Sequence, residues 1–111
     1  MTIDILKNFG VDTGEGLARC MNNEEFYLKM VDMGLKDKRF DTLGPVLESG
    51  DMDEAFEICH ALKGVVLNLA LKPLSDPIAN MTEMLRNREE TDYTAMYREI
   101  KAKRDEILSA S

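Results

Sequence analysis

The chain has 111 residues, 44% hydrophobic and 32% charged, with a formal net charge of −7. That is enough for a single domain over residues 1–111 with a buried core, and its acidic balance argues against nucleic acid or an anionic membrane as partner. No apolar run reaches the roughly 18 residues of a membrane span and the N-terminus lacks a signal-peptide pattern, so a cytoplasmic monomer is expected.

No stretch sustains the period-2 alternation of a strand. Residues 2–9 read as a short amphipathic helix stopped by Gly10, and residues 13–20 as a second, weakened by Gly14 and Gly16. Asn22-Asn23-Glu24-Glu25 is a capping box. The helix it opens should end near Lys36 and turn Phe26, Met30, Val31 and Met33 inward. Residues 38–49 form a further helix that stops at Gly50. Gly44-Pro45 lies inside it, and an interior proline removes a hydrogen bond and crowds the preceding turn, so a kink or break is expected there.

Asp51, with Glu54 three residues on, starts a helix running to about Leu71. Lys72-Pro73 should interrupt, and Ser75-Asp76-Pro77 offers a cap and a first-turn proline for the next helix. That helix should end near Asn87, where Arg86 suits the helix dipole. Thr91 begins the last helix, with Tyr93, Met96, Tyr97, Ile100, Ile107 and Leu108 as its apolar positions. Helices on short loops bury their apolar stripes against one another. The economical arrangement is an all-α, antiparallel four-helix bundle with short N-terminal helices capping one end.

His60 is the only histidine of the chain. On a helical wheel, Ala55, Ile58, Cys59, Leu62, Val66 and Leu69 share an arc of roughly 100°. His60 points about 160° from its centre, Gly64 points the same way, and Lys63 lies on the flank. Phe56, Leu67 and Leu71 also fall on the outer half. A glycine in mid-helix costs about 1 kcal/mol relative to alanine, which suggests that bulk is unwelcome beside the imidazole.

His60-Ala-Leu-Lys63-Gly64, followed by an apolar run ending Asn68-Leu69-Ala70, resembles the phosphoacceptor helix of histidine-containing phosphotransfer (HPt) domains. The chain's length and its short N-terminal helices fit that family as well. The resemblance implies a phosphorelay carrier of two-component signal transduction. His60 would accept a phosphoryl group from a receiver-domain phospho-aspartate and pass it to another receiver. Lys63 would screen the phosphoryl charge, and Gly64 would leave room for it. No cofactor or metal of its own is implied; magnesium belongs to the partner receiver domain. The implied partners are response-regulator receivers and a hybrid histidine kinase, with no turnover of a small molecule. Many members carry Gly where this chain has Ala70. Some carry a hydrogen-bonding Gln on the adjacent helix, where this chain has Thr82.

An adaptor sharing the fold, with an unphosphorylated histidine, is the alternative. A metal or haem bundle has only Glu57 and His60 at ligand spacing to support it. Cysteine-type hydrolysis is disfavoured because Cys59 falls in the core stripe, where a thiol is inert. Cys20 and Cys59 show no Cys-x-x-Cys spacing, and a reduced pair is the simpler reading, with a disulfide left open.

Overall fold

Five helices of this chain start at a side chain that accepts a hydrogen bond from a backbone N–H three residues on: Thr2, Asp12, Asn23, Asp51 and Asp92. Each satisfies one of the donors that a helix N-terminus leaves free. The computed structural model describes residues 1–110, and among these it is all-helical, with no strand. In chain order the helices are α1 (Ile3–Asn8), α2 (Thr13–Arg19), α3 (Glu24–Leu35), α4 (Arg39–Ser49), α5 (Met52–Asn68), α6 (Lys72–Arg86) and α7 (Tyr93–Ser109). Helix α5 packs against α4 and α6, and α7 packs against the same two; α3 touches α2 and α7. The buried apolar side chains form one cluster running from Leu6 to Ile107. No described helix is long and apolar enough to cross a membrane.

Four local expectations change, on α3, α4, α6 and α5. Helix α3 buries Tyr27, Val31, Gly34 and Leu35, whereas Phe26 is 43% and Met33 56% exposed. Two apolar stripes lie side by side on this helix, and the one carrying Tyr27 faces the core. The Tyr27 hydroxyl then donates to the Leu69 carbonyl at 2.9 Å. Helix α4 is not broken at Gly44-Pro45. Pro45 and Asp41, whose carbonyl loses its helical partner to the proline, are both exposed, so water can serve that carbonyl. Gly44 is buried because the Tyr97 ring lies against it; an added Cβ would sit 2.8 Å from that ring.

Helix α6 begins at Lys72, earlier than the Ser75-Asp76-Pro77 reading places it. Pro73 takes the first-turn place, where a missing N–H costs nothing. Ser75 is buried within the helix and Pro77 is an interior proline. Helix α5 ends at Asn68, short of Leu71. Ala70 adopts φ +57°, and the Ala70 and Leu71 N–H groups bond back to Leu67 and Val66. This is a Schellman ending, and it swings Leu71 fully into the core.

Candidate functional site

Helix α5 carries the site, and its entry is secured by Asp51, which accepts the Glu54 N–H at 3.0 Å. Asp53 and Glu54 in the first turn suit the positive end of the helix dipole. Ala55, Cys59, Leu62 and Val66 are buried, and Ile58 is half-buried. His60 and Gly64 are exposed and Lys63 is half-buried, as the wheel places them.

Side chains on a helix lean towards its N-terminus. A side chain at position 64 would therefore lean over His60, and Gly64 has none. Nothing lies within 4 Å of where its Cβ would be. Lys63 stands three residues beyond His60, the spacing that places neighbours on adjacent turns. Neither the His60 nor the Lys63 side chain makes a hydrogen bond or ion pair with any described residue. The site is thus an uncovered imidazole with an uncommitted cation one turn away.

The imidazole in turn leans on Phe56, four residues earlier. Their ring centroids are 5.7 Å apart, with planes tilted by 46°. The Arg86 guanidinium carbon sits 5.1 Å from the Phe56 centroid on the ring face, a cation–π distance. Arg86 also pairs with Glu83 at 3.4 Å. Its expected role at the helix dipole is therefore joined by a link between α6 and the histidine's neighbour. The signal for it was faint: Phe56 stands at i−4 from His60, but nothing local tells which α6 residue reaches it.

Thr82 is fully buried. Its hydroxyl donates to the Ile78 carbonyl of its own helix at 2.7 Å, so its hydrogen is committed there. Cys59, next to His60 in sequence, turns to a different face, into the core, with its sulfur 3.4 Å from that of Met81. Burial pushes its thiol up to about 12, which leaves it unreactive. Cys20 and Cys59 are both free and buried. Glu57 and His60 find no third ligand: no cluster of three or more His, Cys, Asp or Glu side chains suited to a metal ion occurs among the described residues.

Beside Gly64 a shallow groove separates α5 from α3, lined by Met30, Met33, Gly34, Ala61, Gly64 and Asn68. Gly34 permits this close approach, since a Cβ there would lie 2.7 Å from Leu69 Cδ1. Met30 and Met33 of α3, expected to face the core, thus line an open surface, and Leu67, 46% exposed, adds to the apolar surface of α5.

No family model matches the chain, and neither a curated protein nor a solved structure matches it at a significant level.

Proposed function

We propose that the chain is a phosphorelay carrier of the HPt type, with His60 as its phosphoacceptor. The observation that carries this reading is the exposed His60, with Gly64 open beside it and Lys63 one turn on. An unprotonated ring nitrogen uses its lone pair to form the N–P bond. The P–O bond to a receiver's aspartate breaks in the same step, and the carboxylate leaves as an anion. Lys63 steadies the charge of the transferring group. The receiver supplies magnesium, and the reverse step hands the phosphoryl group to a second receiver. In this reading α4, α5, α6 and α7 form an antiparallel four-helix bundle, with α1 and α2 covering one end. The groove between α3 and α5 receives the docking receiver domain, and a hybrid histidine kinase lies upstream.

The test is transfer of radiolabel. A receiver domain charged from labelled acetyl phosphate is mixed with the chain, and label should move to it. His60→Gln should take none while keeping its helical spectrum, because an exposed side chain contributes little to stability. The label should be acid-labile and base-stable. Label retained by every receiver tried, or taken up by His60→Gln, would overturn the reading. The exposed Phe26, Met33 and Leu67 would also suit an adaptor, which would bind receivers without taking label.

A further inference from the structure

We infer that Phe56 is a positioning residue for His60, a role that rests on the carrier reading above. Three observations meet here. The His60 imidazole packs on the Phe56 ring at 5.7 Å. The Arg86 guanidinium from α6 stacks on the same ring at 5.1 Å. On the other side of His60, at Gly64, the surface is open.

An exposed histidine on a helix ordinarily samples several staggered rotamers. Only some of them would aim the distal ring nitrogen at an incoming phosphorus. A ring at i−4 lies where the imidazole naturally leans, so contact with it selects one arrangement. Phe56 itself is half-buried against the core, and Arg86 bears on it from a second helix. The imidazole therefore rests on an anchored wall and not on a mobile side chain. The wall stands on the N-terminal side of His60, and the way in lies on the side of Gly64. Phe56 touches neither donor nor phosphorus in this scheme; it acts through the imidazole alone.

An aromatic contact of this kind biases a conformational choice by about two- to tenfold. Phe56→Leu keeps an apolar side chain against the core but removes the ring, whereas Phe56→Tyr keeps the ring. The probe is phosphoramidate, a small donor that needs no receiver. The His60 nitrogen forms the new N–P bond as the donor's own N–P bond breaks and ammonia leaves. Phe56→Leu should be phosphorylated about fivefold more slowly than the parent, and Phe56→Tyr at close to the parent rate. Proton NMR supplies a readout independent of phosphate. The two carbon-bound imidazole protons of His60 should lose their ring-current shift in Phe56→Leu and keep it in Phe56→Tyr.

Parent-rate phosphorylation of Phe56→Leu, or unmoved imidazole protons in it, would overturn the positioning role and leave the carrier reading standing. Failure of Phe56→Tyr to restore the rate would also overturn it, because the loss would then track general disturbance and not the ring. If the parent chain took no phosphate from phosphoramidate or from any charged receiver, the carrier reading would fall and the positioning role with it.

Discussion

Gly64 and Ala70 are both small residues on or just past α5, and the structure asks opposite things of them. Gly64 sits in regular helix with open space around it, so any side chain there should strengthen the helix by up to about 1 kcal/mol. The same side chain would lean over His60. Gly64→Gln should therefore melt at a higher temperature than the parent and accept phosphate more slowly from a charged receiver. Lys63→Ala should leave melting nearly unchanged and slow transfer, since the phosphoryl group loses its nearby cation. Parent-rate transfer by both variants would make Lys63 and Gly64 ordinary surface residues. Ala70 is the reverse case. Its φ of +57° strains any residue with a Cβ. Ala70→Gly should stabilise the chain by about 1 kcal/mol in urea unfolding.

Helix α7 is joined to its neighbours by a buried arginine that the apolar pattern did not mark. Arg104 is 5% exposed. Its Nη1 donates to the Leu35 carbonyl at 2.9 Å, its Nη2 to Asp41 at 2.9 Å and its Nε to Asp105 at 2.7 Å. Its guanidinium carbon lies over the Phe40 ring, 5.0 Å from the centroid. One side chain thus ties α7 to the end of α3 and the start of α4. Arg104→Met should cost about 2–3 kcal/mol, chiefly through the stranded Leu35 carbonyl and the lost stacking. Arg104→Lys should recover only part, because a point charge cannot reproduce the planar fork. Urea unfolding of the two variants measures both statements, and full recovery by lysine would show that charge alone matters. Tyr97 makes a similar tie from α7, donating to the Phe40 carbonyl at 2.5 Å over the buried Gly44.

At the scale of the whole molecule, the core makes stability depend on alkaline pH. Burial raises the Cys59 thiol from 9.0 to about 12. Burial, then the charges of Cys20 and Asp12, raise the Tyr27 phenol from 10.0 to about 12. Both groups hold their protons more tightly folded than unfolded. The stability they contribute is complete below the unfolded values and is lost as pH climbs from about 9 towards 12. The urea midpoint should hold steady to about pH 8 and fall steeply by about pH 11. Cys59→Ala should flatten the early part of that fall, whatever it does to the midpoint at neutral pH. A midpoint that stays level across this range would contradict the burial argument.

What could be read without coordinates was governed by neighbours along the chain. The cap at Asp51 acts over three residues, and the phase of α5 follows from one dominant apolar stripe, so the start of this helix and the outward direction of His60 are legible. The pattern starts the last helix at Thr91 and the structure caps it at Asp92, a one-residue difference of the same local kind. Where two local solutions competed, packing chose between them. Helix α3 offered two adjacent stripes, and the fit of Tyr27 beneath Leu69 and over Gly16 selected one. Met21, Ala70 and Arg88 take left-handed φ values in chain turns where glycine is the usual signal, because the helices they leave must turn back to keep contact. The stacking of Arg86 on Phe56 beside His60 joins residues 30 apart in a geometry set by how α6 lies on α5. Periodicity and capping operate within one helix, whereas the setting of an exposed side chain depends on the distance and rotation between two, which only mutual packing fixes.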